Sequence, residues 1–321
     1  RLLNHNSKYS DVLKPYLIGQ ELVAGIGSKP ERFVIDFSRM DIIQASGFKD
    51  LFKIVTDKVL PKRKTDADKE LDEGKKLLEK NPKAKVPKSY QQYYSSWWQL
   101  IGKRPSLVRV LEDIPRYIGI SRVSKRGIFE FIESQIRPND SMIAFLLPDD
   151  YSFGILQSGF HWEWWKASCS TLKGDFRYTI DPVWDTFTWP QTPTEKQLKA
   201  VAKAAVSLRL ARREAMQKNK QSLRDLYRLL ELPGKNPIRD LHHCLDRAVA
   251  EAYGFPDMAF FKKQTGLYLD DPNPVLEFLL ALNLSVAEKE VNKEAVQGPG
   301  LPAWVENKEE YVTEDCVRWE G

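Results

Sequence analysis

Cysteine is scarce in this chain of 321 residues: Cys169, Cys244 and Cys316 stand far apart. They make no CxxC pair and no disulfide framework, so a zinc ribbon and a dithiol redox centre are excluded, and a reducing compartment, the cytoplasm, is expected. No apolar run reaches the length of a membrane span, and no membrane partner or signal peptide is expected. GxxxxGKS/T does not occur, which leaves nucleotide hydrolysis without its phosphate cradle. The one glycine cluster, AGIGSKP from Ala24 to Pro30, lacks a strand-turn-helix setting and reads as a turn. Histidine numbers only four. His242 and His243 are neighbours on a predicted helix and point in different directions, so with Cys244 and Asp246 they do not make a metal site. His161 sits among tryptophans as a core or helix-start residue. Asp149-Asp150 and Asp270-Asp271 fall in turn-like contexts, where aspartate bonds its own backbone. No catalytic residue, metal ligand or cofactor site is therefore assigned within the chain. The first residue is Arg1 rather than Met, which is expected of a piece of a longer protein.

What the chain has is basic and aromatic. Hydrophobic residues make up 42% and charged residues 29%, as in a globular protein, and the net charge is +5. The lean is mild: it permits an anionic partner such as nucleic acid without requiring one. Between Ile114 and Pro190 the aromatics interleave with Arg and Lys. IGISRV, FEFIES, MIAFLL and FGILQS read as β-rich runs separated by Pro, Asn, Asp and Gly. HWEWWKASCSTL, from His161 to Leu172, carries apolar residues at helical spacing, with Phe160, Trp164, Trp165 and Cys169 facing a core. Cations meet phosphates and base edges, and aromatic faces stack on bases, so such a surface suits nucleic acid. Trp97, Trp98, Trp162, Trp164 and Trp165 could stack on an unpaired base, but core packing is the ordinary use of large aromatics.

Four regions follow one another. Residues 1–60 hold short strands such as RFVIDF (Arg32 to Phe37) and an amphipathic helix near Ser46 to Leu60. Residues 61–89 are nearly all Lys, Asp, Glu, Ala and Pro, a solvated helix, hairpin arm or spacer. Residues 90–190 carry the strands. From Thr194 the pattern is helical: Thr194 caps a long helix that accumulates Lys196, Lys199, Lys203, Arg209, Arg212 and Arg213. Those cations touch phosphates or form a solvated face. The predicted class is α+β, a mixed twisted sheet over 1–190 joined through WPQTPT, Trp189 to Thr194, to an all-α domain over 194–321.

PRYIGISRVSKR (Pro115 to Arg126), FGILQSGFHWEWWKA (Phe153 to Ala167), LKGDFRYT (Leu172 to Thr179) and DTFTWP (Asp185 to Pro190) together resemble the target-recognition region of MmeI-like DNA methyltransferases. Those are S-adenosylmethionine-dependent adenine-N6 enzymes of type IIL/IIG restriction-modification and phage-defence systems. KPYLIGQEL (Lys14 to Leu22) and RFVIDF are similar to the segment that follows their catalytic domain. LHHCLDRAVAEAYG (Leu241 to Gly254) is similar to their helical C-terminal segment. The usual FPWP motif reads Phe187-Thr188-Trp189-Pro190, and residues 61–89 carry no family signature. The resemblance implies a bacterial recognition module that binds double-stranded DNA, covalently linked to an upstream methyltransferase domain that uses S-adenosylmethionine. A free-standing nucleic-acid-binding or assembly module and an aromatic-rich carbohydrate binder are the alternatives.

The residues give this a concrete form. Arg122, Ser124, Lys125 and Arg126 follow a strand and end at Gly127, which suits a strand tip entering a groove. Arg and Lys bind guanine bidentately, and Ser donates or accepts; in the resembled enzymes this segment carries sequence specificity. Arg104, Arg109, Lys173, Arg177 and Tyr178 are candidates for phosphate contacts. Alternatively, Asp175 and Arg177 pair with each other.

Overall fold

The computed structural model describes residues 7–102, 104–172 and 174–319. Its chain divides into two compact units. The first comprises residues 1–15 and 33–110, the second 16–32 and 111–321. The linker expected at Trp189 to Thr194 thus lies inside the second unit, and Trp189 is buried there.

In the first unit, Asp41 opens the Ile42–Ser46 helix with a capping box: Asp41 accepts from the Gln44 amide at 2.8 Å and Gln44 accepts from the Asp41 amide at 3.0 Å. The Lys49–Lys58 helix follows, shorter than expected, with Leu51 and Val55 buried. They pack with Tyr9, Val12, Phe37 and Ala45, and Phe48, Phe52, Trp97 and Trp98 close over them. The Trp98 indole donates to Met40 O at 3.0 Å. Residues 61–89 form most of a single helix, Leu60–Lys80, after which the Ser89–Ser95 helix folds back.

The strands, in chain order, are β1 (Leu13–Leu17), β2 (Arg32–Ile35), β3 (Arg116–Ser121), β4 (Val123–Ser124), β5 (Glu130–Glu133), β6 (Arg137–Pro138), β7 (Met142–Phe145), β8 (Ser170–Leu172) and β9 (Asp175–Arg177). The class is α+β, as expected, but the strands do not share one sheet. In the second unit β3 runs antiparallel between β5 and β7, and β9 runs antiparallel between β4 and β8. Tyr16 and Leu17 of β1 pair in parallel with β6. FGILQS, expected as a strand, lies in the Asp150–Gln157 helix up to Gln157, with Ser158 as its C-cap, and every residue of that helix is buried. A helix buried all round shows no helical period, so its apolar run imitates a strand. The Gly159–Ser168 helix buries Phe160, Trp162, Trp164 and Trp165; Cys169, just beyond it, is only partly covered.

The long helix at Glu195–Asn219 is capped by Thr194. Its cations do not form one face. Lys196, Lys199 and Lys203 are exposed. Arg209 and Arg212 are buried, which removes them from any phosphate contact. Arg209 donates to Asp315 at 2.8 Å and, with Arg116, to the buried Asp150. Arg212 pairs with Glu130 at 2.8 Å. Desolvating a guanidinium is costly unless carboxylates meet it, and these do. The same network anchors the C-terminal segment: Val317 donates to Phe131 O at 2.8 Å and accepts from the Glu133 amide at 3.0 Å, extending the edge of β5. Burial alone would raise the Asp315 carboxyl, yet Arg209, Thr313 and Arg116 hold it well below the carboxylate range.

Candidate nucleic-acid interface

The β4–β9–β8 sheet carries most of the residues expected to meet DNA. Val123 and Ser124 of β4 oppose Arg177 and Phe176 of β9. Ser170, Thr171 and Leu172 of β8 oppose Arg177, Phe176 and Asp175. Gly174 turns the β8–β9 hairpin with φ +86°, a backbone region that favours glycine. Arg122 ties this sheet to its neighbour. Its amide donates to Ser141 O at 2.8 Å, and its carbonyl accepts from the Tyr178 amide at 2.8 Å.

The expected base readers separate on inspection. The Ser124 hydroxyl donates to Arg126 O at 2.7 Å and accepts from the Arg126 amide at 3.2 Å, so it staples its own turn. Arg126 is not presented to a groove. Its guanidinium forms a two-point pair with Glu231, Nε to Oε1 at 2.7 Å. Lys125 is the outward cation of the segment, 72% exposed and 3.8 Å from Asp175 Oδ1. The Arg122 guanidinium makes no hydrogen bond or ion pair with another described residue.

Among the expected phosphate contacts, Arg177 is exposed. Asp175 approaches Lys125 rather than Arg177. Tyr178 is 1% exposed, and its hydroxyl lies 3.0 Å from His161 Nε2. Burial pushes the His161 imidazole down to about 4, so it is neutral near pH 7. His161 Nδ1 lies 2.9 Å from Leu156 O, which can only accept. The proton therefore sits on Nδ1, and Nε2 receives the Tyr178 hydroxyl. Tyr178 is a core residue, not a phosphate contact. Arg104 and Arg109 are exposed but belong to the first unit. Lys173 lies outside the described residues. The histidines read as neighbours diverge: His242 Nε2 meets the Tyr227 hydroxyl at 3.1 Å, while His243 Nε2 donates to Gly266 O at 2.7 Å.

Arg122 and Arg177 line one open groove of about 610 Å³. Ser170, Thr179 and Asp181 share its wall, and Ile180 stands exposed beside them. The Thr179 hydroxyl is buried with no hydrogen-bond partner among the described residues. The sequence alone singled out neither Thr179, Asp181 nor Ser170; the signal lay in their position within three residues of Tyr178 or on the strand opposite Arg177. Two guanidinium donors, hydroxyls and one carboxylate offer hydrogen bonds to a phosphate or to the edge of a base.

Residues 123–191 match the MmeI target recognition domain. The match begins at β4, contains β8, β9 and the tryptophan-rich helix, and ends beside Trp189-Pro190. It is the family that PRYIGISRVSKR, FGILQSGFHWEWWKA, LKGDFRYT and DTFTWP resemble. The chain is similar in structure to that described as "Structure of Type IIL restriction-modification enzyme MmeI in complex with DNA has implications for engineering of new specificities", with a TM-score of 0.61 and 19% identity, over 89% of this chain and 32% of that one. At that identity the likeness is one of fold. The chain spans about a third of the MmeI chain that it matches. No curated protein matches it.

Proposed function

We propose that the chain selects a specific sequence of duplex DNA, as the recognition part of a bacterial restriction-modification enzyme. The observation that carries this reading is a coincidence of place. The stretch matching the MmeI target recognition domain contains the small sheet on which Lys125 and Arg177 face outward, with Arg122 at its border. In the proposed complex Arg177 takes a phosphate, fixing register, while Arg122 and Lys125 reach base edges, where Arg or Lys reads guanine O6 and N7.

Covalent chemistry would reside on an upstream adenine-N6 methyltransferase domain. S-adenosylmethionine would supply its methyl group, and the target adenine would have to leave the stack, because its amine is unreachable within the duplex. The residues described here would hold the flanking duplex meanwhile. Carbohydrate binding at the tryptophan-rich helix is disfavoured, because Trp162, Trp164 and Trp165 are buried and offer no face to a sugar.

The test is fluorescence anisotropy of the full chain with labelled duplexes, against a glycan panel, over a range of salt. Counterion release makes log Kd rise with log salt by about 0.9 for each phosphate neutralised. Duplex binding with such a slope supports the reading. A flat salt response, or glycan binding in its place, contradicts it.

A further inference from the structure

The densest positive charge lies in the first unit, away in sequence from Arg122 and Arg177. From Lys75 to Lys88 the chain carries six lysines (Lys75, Lys76, Lys80, Lys83, Lys85 and Lys88) and one acidic residue, Glu79. All six are exposed, and their ammonium groups have no partner among the described residues. The preceding part of the same helix is different. Between Leu60 and Gly74 four cations stand among five acidic residues, and Lys62 pairs with Asp66 at 2.7 Å. A helix made only for solubility would mix its signs to the end. Here, after Glu73, Glu79 is the one acidic residue before Lys88.

The helix dipole explains part of this pattern. Cations in the last turn of a helix interact favourably with its carbonyls, which covers Lys80. It does not cover Lys83, Lys85 and Lys88, which lie beyond the last turn.

The tip is also held in place. The Glu70 carboxylate accepts the Tyr90 and Gln91 amides at 3.2 and 2.9 Å, and Gln91 Nε2 donates to Ala67 O at 2.6 Å. Arg63 donates to Gln99 O at 3.1 Å. Gly74 faces Val86 so closely that a Cβ there would lie 2.5 Å from the valine methyl. The return segment is thus laid against the helix, and the lysines ride on a fixed turn. Leu71, Leu78, Val86 and Pro87 line a shallow groove there, with Lys75 and Lys88 in its wall; all six lysines are exposed.

We propose that this cationic tip grips the sugar–phosphate backbone of duplex DNA without regard to sequence. A preorganised array of ammonium groups releases counterions from the duplex at little ordering cost, and lysine is a point charge that meets phosphate from any direction. The tip adds affinity, and the groove of Arg122 and Arg177 adds choice. The proposal rests on the reading of the chain as a DNA-binding protein, but on different residues.

The experiment replaces Lys80→Gln, Lys83→Gln, Lys85→Gln and Lys88→Gln together in the full chain. Binding is measured against duplexes of fixed length, both selected and random in sequence, across salt, and against phosphatidylcholine vesicles with and without phosphatidylserine. Thermal unfolding checks the fold. The expected variant unfolds as the parent does, loses affinity by the same factor on every duplex, and shows a salt slope lower by roughly 3 to 4. An unchanged slope on both kinds of duplex overturns the proposal, as does a loss confined to anionic vesicles. The two readings fail separately. A parent chain that binds all duplexes equally, with a slope that depends on these lysines, sinks sequence recognition and keeps the tip. A sequence-selective parent whose slope ignores them does the reverse. Absence of duplex binding at low salt sinks both.

Discussion

Arg126 and Glu231 close a two-point ion pair across 105 residues of chain, Nε to Oε1 at 2.7 Å, and the Tyr268 hydroxyl donates to the same Oε1 at 3.1 Å. A guanidinium committed in this way joins the recognition strands to the C-terminal helices. Replacing Arg126→Ala or Glu231→Ala should each lower stability by about 1 kcal/mol, the scale of a partly exposed bidentate pair. The double variant should cost less than the sum of the two. Base preference should stay as in the parent. Urea unfolding supplies the cycle, and zero coupling energy would contradict the assignment.

Arg122 and Arg177 divide the work of the groove. Arg177→Ala should weaken every duplex alike and reduce the salt slope by about 1. Arg122→Ala should relax preference at one base pair and cost about 1–3 kcal/mol on the preferred sequence. Competition binding with single-base-pair variants of one duplex separates the two patterns. Equal losses on all duplexes for both substitutions would remove Arg122 from base reading.

Asp246 couples stability to pH. It is buried, and its Oδ1 accepts the Gly159 amide at 2.7 Å, at the start of the tryptophan-rich helix. Burial pushes its carboxyl up to about 7; Gly159 and Arg247 oppose that rise and Glu163 adds to it. The folded chain therefore binds this proton more tightly than the unfolded chain does. The stability it contributes is fully present below the ordinary carboxylate value of about 3.9. It is lost as pH rises through about 7. Asp246→Asn keeps an acceptor and removes the titration. The difference in Tm between variant and parent should grow in the variant's favour from pH 5 to pH 8. A constant difference across that range would show that Asp246 is ionised throughout.

Arg209 tests the buried network. It lies with Arg116 against Asp150 and Asp315, and its guanidinium is 4.8 Å from the Phe131 ring centre. Arg209→Met leaves two carboxylates short of a partner and should cost roughly 3–5 kcal/mol. Chemical denaturation measures it. A loss below 1 kcal/mol would mean that Arg116 alone satisfies both carboxylates.

Local rules made some of this legible in the sequence. Thr194 followed by Glu195 and Gln197 announces the long helix, because a cap acts within three residues. The Lys49–Lys58 helix shows its period because one face is wet. Long-range pairing was not legible. Arg126, Arg209 and Arg212 look like surface cations until Glu231, Asp150, Asp315 and Glu130 are brought to them from elsewhere in the chain. Asp149 was read as a turn residue, yet its side chain caps the Asp150–Gln157 helix by accepting the Ser152 amide at 2.7 Å. That cap was the one local sign that FGILQS is helical. The first unit is built from two separated stretches of chain, which no composition shift near Trp189 could reveal.

Selection from a random duplex library by the full chain tests the central claim most directly. After several rounds at moderate salt, the account predicts a short common sequence among the retained duplexes, altered at one position by Arg122→Ala and left intact by Arg126→Ala. Retained duplexes with no sequence in common would contradict it.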